Sequence, residues 1–184
     1  TLGSAGDVMT ISDLTASKFN QFMCHVIGSG AMSLGGTFNN STGSEYARRR
    51  EENGDADYTE VSQTVMSLGL GGGGIDKLCI TYAVKISGEE GLVISDVVGQ
   101  NVAGAGSAPT REINFCKWVP STLTDTIDRF DFDNGAAGDY LISSNLSALG
   151  SEGVASLNVQ DGAVYYDTDL NKSYVLYNNA WTEL

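Results

Sequence analysis

The chain has little proline, one histidine and few basic residues. Of its 184 residues, 2 are proline, and 10 Lys and Arg stand against 23 Asp and Glu, which gives a net charge of −13. Because affinity for nucleic acid depends on Lys and Arg that neutralise phosphates, this balance disfavours a nucleic-acid partner. It also disfavours anionic membrane surfaces, for the same reason. With a single histidine, a His-rich metal site is excluded.

Long apolar runs are also missing. No run approaches the 18 residues of a membrane-spanning helix, and residues 1–6 lack the basic-then-apolar order of a signal peptide. The three cysteines, Cys24, Cys79 and Cys116, are odd in number, far apart and within apolar runs. We therefore expect buried thiols rather than a disulfide framework, and assembly in a reducing cytoplasm.

No segment sustains a helical period for 12 residues, so short strands are expected instead. Runs of β-branched and aromatic residues alternate with polar clusters and with the 23 glycines, which suit tight turns. The predicted strands are residues 8–14, 19–27, 32–38, 59–68, 76–87, 91–98, 111–119, 124–132 and 139–149. Strands at this spacing predict an all-β, jelly-roll-like antiparallel β-sandwich over residues 1–150, with Met9, Phe22 and Trp118 in its core.

The most polar stretch, residues 45–58, contains the basic triplet Arg48, Arg49 and Arg50. Two glutamates follow the triplet directly, and Asn53-Gly54 then gives a strong tight-turn signal. We expect an exposed, charged loop or sheet edge here. The alternative is that the three arginines form an interface with an acidic neighbour, such as a capsid shell or another subunit.

Residues 151–184 predict a second unit, a small β-meander with strands at 163–166, 173–177 and 180–184. A three-stranded meander of this size is marginally stable alone. Its aromatic side chains therefore need a partner surface, either on the body or on another copy of the chain. These candidate interface residues are Tyr165, Tyr166, Tyr174, Tyr177 and Trp181.

Candidate catalytic and cofactor motifs have simpler structural explanations. Cys24 and His25 are adjacent in a strand, so their side chains point to opposite faces and do not form a nucleophile pair. The run Gly71-Gly72-Gly73-Gly74 lacks the Gly-Lys-Ser/Thr of a phosphate-binding loop. The sequence thus predicts no catalytic residue, no cofactor and no enzyme activity.

Two acidic pairs leave cation binding open. Asp167 and Asp169 match the start of an EF-hand loop, but the glycine and the final glutamate of that loop are missing, which favours a hairpin turn. Asp131 and Asp133 share one face of a predicted strand. They either hold a cation between subunits or stay solvated. Paired carboxylates also occur in glycosidases, but no cleft signature accompanies these.

Two stretches resemble virion proteins of tailed bacteriophages. Residues 162–181 are similar to a short module of phage tail-fibre proteins, G-x-x-x-Y-D-T-x-x-x-K-x-Y-V-Y-x-x-x-x-W, with Leu176 inserted before the second tyrosine of the Y-V-Y part. The body resembles jelly-roll-like domains of marine phage structural proteins. The residues that carry this resemblance are the strand at 19–27, Tyr46-Ala47-Arg48-Arg49, the strand at 124–130 and the leucine-glycine end of 146–150. The resemblance implies a non-enzymatic virion protein that forms homo-oligomers, most often homotrimers.

Two functions follow from this resemblance. The first is a capsid decoration protein that binds the major capsid protein or another virion protein and stabilises the shell. The absence of a coiled-coil or collagen-like shaft favours it. The second is a receptor-binding tip of a head or tail fibre, which recognises host-surface glycans through loops 69–75 and 99–109. A polysaccharide hydrolase and a cellular lectin-like module are the remaining alternatives.

Overall fold

The computed structural model describes residues 1–14, 18–72, 76–100, 104–151, 164–167, 171–177 and 180–184. These residues form fourteen β-strands, and none of them lies in a helix, so the all-β prediction is confirmed. The chain divides into two compact units, Thr1–Gly153 and Val154–Leu184.

The first unit is an antiparallel β-sandwich of eleven strands. They are β1 Val8–Ile11, β2 Phe19–Val26, β3 Met32–Phe38, β4 Tyr46–Glu52, β5 Tyr58–Gln63, β6 Met66–Gly72, β7 Lys77–Val84, β8 Gly91–Gly99, β9 Thr110–Trp118, β10 Phe130–Asp133 and β11 Asn145–Ser151. One sheet has four strands in the order β1-β10-β3-β6, and the other has seven in the order β11-β2-β7-β8-β9-β4-β5. The sandwich is confirmed, whereas jelly-roll connectivity stays a prediction.

Aromatic side chains fill one part of the space between the two sheets. The rings of Phe22 and Phe130 stack with centroids 4.3 Å apart, and Phe38 packs against Trp118 at 5.2 Å. Met9 is also buried there, so the prediction of Met9, Phe22 and Trp118 as core residues is confirmed. Aromatic contacts of this kind stabilise a core by about 0.5–1.5 kcal/mol per pair beyond the burial of area.

The predicted strand at 124–132 is wrong over most of its length, since only β10 pairs with a neighbour. The side chain of Asn39 instead forms hydrogen bonds with the backbone of the residues just before β10. Its Oδ1 accepts from the backbone N–H groups of Asp128 at 3.1 Å and Arg129 at 3.2 Å, and its Nδ2 donates to the carbonyl of Thr126 at 2.6 Å. These bonds satisfy backbone groups that would otherwise pair in a ladder.

The prediction of one strand over 59–68 is also wrong. The chain forms two strands there, β5 and β6, which belong to different sheets. It passes from the seven-stranded sheet to the four-stranded sheet at Thr64 and Val65. Likewise, the predicted strand at 139–149 is shorter in the structure, where pairing with β2 covers Asn145–Ser151.

The second unit contains a three-stranded meander, as predicted. Its strands are β12 Val164–Asp167, β13 Lys172–Tyr177 and β14 Ala180–Glu183, in that order in the sheet. Tyr165 pairs with Tyr174 in the ladder, and Lys172 Nζ lies 2.8 Å from Glu183 Oε2.

Candidate assembly surface

Strand β7 places its apolar residues on the wrong side for an isolated two-layer sandwich. Side chains alternate between the two faces of a strand, and those that point between the sheets are normally the apolar ones. Here the inward positions along β7 and the residue after it are Lys77, Cys79, Thr81, Ala83 and Lys85. The outward positions are Leu78, Ile80, Tyr82, Val84 and Ile86.

The neighbouring strands continue this outward apolar surface. The ladder register aligns Tyr82 with Ile94 of β8, and Ile94 with Phe115 of β9. The next row along joins Phe19 of β2, Val84 and Leu92. We call this surface the outer face, and its apolar members are Phe19, Met23, Leu78, Ile80, Tyr82, Val84, Leu92, Ile94, Val98, Ile113 and Phe115.

A shallow groove runs along the outer face. It has a volume of about 490 Å³, and its lining includes Phe19, Tyr82, Leu92, Ile94 and Phe115. Eight apolar side chains of the outer face are between 39% and 58% exposed. On a monomeric protein the largest apolar patch usually covers about 300–600 Å². An apolar patch at or above this size typically marks a surface that another molecule covers.

Charged pairs border the outer face near β4. Arg49 Nη1 lies 2.7 Å from Asp57 Oδ2, Arg111 Nη2 lies 3.2 Å from Glu51 Oε1, and Lys117 Nζ contacts a glutamate of the β7–β8 turn. These pairs are exposed, so each adds at most about 1 kcal/mol to stability. An apolar centre with a polar border is the usual anatomy of a protein–protein interface.

The basic triplet lies in β4, which pairs with β9 on one side and β5 on the other, so the prediction of an exposed loop or sheet edge at residues 45–58 is wrong for Tyr46–Glu52. Alternation in β4 turns Arg48 inward and Arg49 outward. The Arg48 side chain is only 10% exposed, and its Nε donates to Glu60 Oε2 at 2.6 Å. Its Nη1 donates to Ser67 Oγ at 2.7 Å and to Asn114 Oδ1 at 3.2 Å.

Glu112 of β9 completes this buried charge network. Its side chain is 1% exposed and accepts from Arg48 Nη1 at 3.5 Å and from Arg50 Nη1 at 3.2 Å. The Arg50 guanidinium also lies 5.1 Å from the ring centroid of Tyr58. Arg48 and Arg50 are thus engaged within the fold, and an interface role for Arg49 stays a prediction.

Polar side chains extend from this network across the interior and join the two sheets. Ser95 Oγ and Asn114 Nδ2 donate to the backbone carbonyl of Leu68 in β6, at 3.0 and 2.9 Å. Thr81 Oγ1 donates to Ser95 Oγ at 3.2 Å. The inward face of the seven-stranded sheet is therefore partly polar, while its outward face is largely apolar.

The three cysteines are buried and free, which confirms the prediction of buried thiols. Burial raises the pKa of the Cys24 and Cys79 thiols, and it raises the pKa of Cys116 to about 12. A thiol that is neutral and inaccessible is a poor nucleophile. Cys24 is buried while His25 is exposed, so the two side chains point to opposite faces as expected.

Asp131 is bound within the fold. Arg129 Nε and Nη2 each donate to its carboxylate at 2.7 Å, and Thr10 Oγ1 donates at 2.5 Å. Burial, with the nearby charges of Asp7 and Asp131, raises the pKa of Asp133. Among the described residues, no group of three or more His, Cys, Asp or Glu side chains is placed to hold a metal ion. Asp169, in the EF-hand-like loop, lies outside the described residues.

Some predicted interface residues of the second unit can be placed. Tyr166 is half exposed and its hydroxyl contacts Asn171, and Tyr174 is partly buried. The side chains of Tyr165, Tyr177 and Trp181 lie outside the described part of the structure. The same holds for residues 73–75 and 101–103 of the two loops predicted to bind glycans.

Comparison of the chain with protein-family models, curated proteins and solved structures gave no match. In the part of the chain that the structure describes, no helix has the length and hydropathy to cross a bilayer.

Proposed function

We propose that the protein is a non-enzymatic structural component of a phage virion, a capsid decoration protein that oligomerises on the particle surface and stabilises the shell. The outer face is the observation that carries this proposal. A strand such as β7, with Leu78, Ile80 and Tyr82 directed away from its own sandwich, suits a protein that works within an assembly. The resemblance of residues 162–181 to phage fibre modules supplies the virion context.

A decoration protein acts mechanically. It bridges neighbouring capsid subunits and adds buried area that must be exposed again before the shell can open. The major capsid protein is the expected partner on the shell, and a homotrimer at a local three-fold axis is the expected oligomer. The acidic surface, with a net charge of −13, keeps unbound copies soluble.

The outer face supports the receptor-binding alternative less well than it supports the decoration function. Sugars are held by aromatic rings together with several polar groups that pair with their hydroxyls. The groove offers Tyr82 and Phe115, but its lining is otherwise nearly all apolar. Such a lining suits a protein partner better than a glycan.

The test is binding to shells of the parent phage that were assembled without this chain. Purified protein is mixed with these shells and, as a control, with unassembled capsid subunits, and the bound fraction is measured by sedimentation. We expect saturable binding with a fixed ratio per capsid subunit, and only to assembled shells. Binding to host cells but not to shells would instead support the receptor-binding function, and binding to neither would reject both.

A further inference from the structure

The outer face is wide enough to form a stable interface. Its eight apolar side chains that are 39–58% exposed leave on the order of 550–750 Å² open to water, if a fully exposed side chain of this size has roughly 150–200 Å². A standard protein–protein interface buries about 800 Å² on each partner. The apolar part of the outer face alone thus approaches what one partner contributes.

The outer face is close to neutral, in contrast to the whole chain. The outward positions of β2, β7, β8, β9 and β4 hold three basic side chains and two acidic ones, which gives +1. The basic ones are Arg49, Arg111 and Lys117, and the acidic ones are Glu51 and Asp96. Asp57 and Glu90, which pair with Arg49 and Lys117 at the border of this face, bring the sum to −1. The chain as a whole carries −13, so contact between copies through other surfaces is opposed by repulsion.

Area and charge together identify the occupant. We infer that the outer face packs against the outer face of a second copy of this chain, with apolar rows facing each other as in stacked sheets. A pair related by a two-fold axis buries the same patch on both copies. Three copies around a three-fold axis cannot stack face to face in this way, because each outer face would meet two neighbours, so the inference specifies a dimer where the resemblance implies a homotrimer. This inference deepens the proposed function, because it names the molecule that covers the surface on which that function rests.

Ile94 is the side chain to test. It lies on β8 between Tyr82 and Phe115 in the ladder, near the middle of the outer face, and is 46% exposed. Ile142 is a matched control, since it is an exposed isoleucine outside the strands. Ile94→Asp and Ile142→Asp change charge and hydrophobicity equally, so only position distinguishes them.

Sedimentation velocity at micromolar concentration measures the oligomeric state of each protein. We expect the wild type and Ile142→Asp to form dimers. Ile94→Asp buries an unpaired carboxylate in the interface, so its dissociation constant should rise by about a hundredfold or more. A monomeric wild type, or equal weakening by both variants, would overturn the inference.

A second experiment does not depend on the folding of Ile94→Asp. Because all three native thiols are buried, Ile94→Cys introduces one accessible thiol, and Ile142→Cys does the same elsewhere. Under mild oxidation, a cross-linked pair should form much faster for Ile94→Cys than for Ile142→Cys. Equal rates would count against the contact.

The outcomes separate this inference from the proposed function. A monomer that still saturates capsid shells would refute the contact between copies and leave the decoration function standing. A wild type that forms an oligomer, loses it in Ile94→Asp and does not bind shells would support the contact between copies and refute the decoration function.

Discussion

Replacement of Glu112 by glutamine tests whether the buried charges hold β4 in the sandwich. Glu112→Gln keeps the shape of the side chain but leaves the guanidinium groups of Arg48 and Arg50, 3.5 and 3.2 Å away, without that carboxylate. Removal of one member of a buried ion pair costs about 3–5 kcal/mol. Since Arg48 retains Glu60 and Arg50 is 30% exposed, we expect about 3 kcal/mol, the lower end of that range.

Urea unfolding measures this loss, at one fixed protein concentration because the proposed self-association would also contribute to stability. With a slope of about 1–3 kcal/mol per molar urea, the midpoint should fall by about 1–3 M. Glu90→Gln is the matched control, since Glu90 pairs with Lys117 at 3.1 Å and both side chains are about half exposed. It should lose less than about 1 kcal/mol. Equal losses would show that the charges at Glu112 are solvated and do not hold β4.

Two further predictions concern ionisable groups. Asp133→Asn should raise the melting temperature at neutral pH, because the raised pKa of Asp133 means that its ionised form destabilises the folded state. The gain in melting temperature should shrink as the pH falls through that raised pKa toward the ordinary value of 3.8, because the carboxyl becomes protonated. A gain that does not depend on pH, or an equal gain in Asp55→Asn, would contradict the burial of a charged Asp133 as its cause. The three buried thiols should resist a thiol-specific reagent in the native protein and all react in urea, and labelling of native protein at the same rate would refute their burial.

Alternation of apolar and polar residues located most strands. Met32–Phe38 has the predicted bounds, and Lys77–Val84 and Gly91–Gly99 lie close to the strands predicted at 76–87 and 91–98. These elements could be predicted because period and turn residues are local signals. The residues between 122 and 129 could not, since their backbone bonds to Asn39, about 90 residues away in sequence.

Strand β4 shows a second limit of local signals. A run of three arginines and two glutamates is typical of a solvated segment, and nothing near it in sequence indicates burial. The reason for burial is Glu112, which lies 64 residues from Arg48 in sequence, on β9, the strand that pairs with β4. Only the fold brings these opposite charges together, so the inward turn of Arg48 was beyond sequence analysis.

The outer face, by contrast, is visible in the sequence as nearly continuous apolar runs, but the period of these runs does not say which side of each strand faces the core. Strands covered on both faces have nearly continuous apolar runs, and residues 78–84 and 91–98 contain such runs. A shift of β7 by one residue would bury Leu78, Ile80 and Tyr82 and would expose Lys77 and the other inward residues. The structure keeps the opposite register, in which Thr81 Oγ1 donates to Ser95 Oγ at 3.2 Å, a hydrogen bond that a shifted β7 would break. The apolar side chains of β7 are therefore left on the outer face, where the proposed contact with a second copy of the chain would bury them against an apolar surface of matching width.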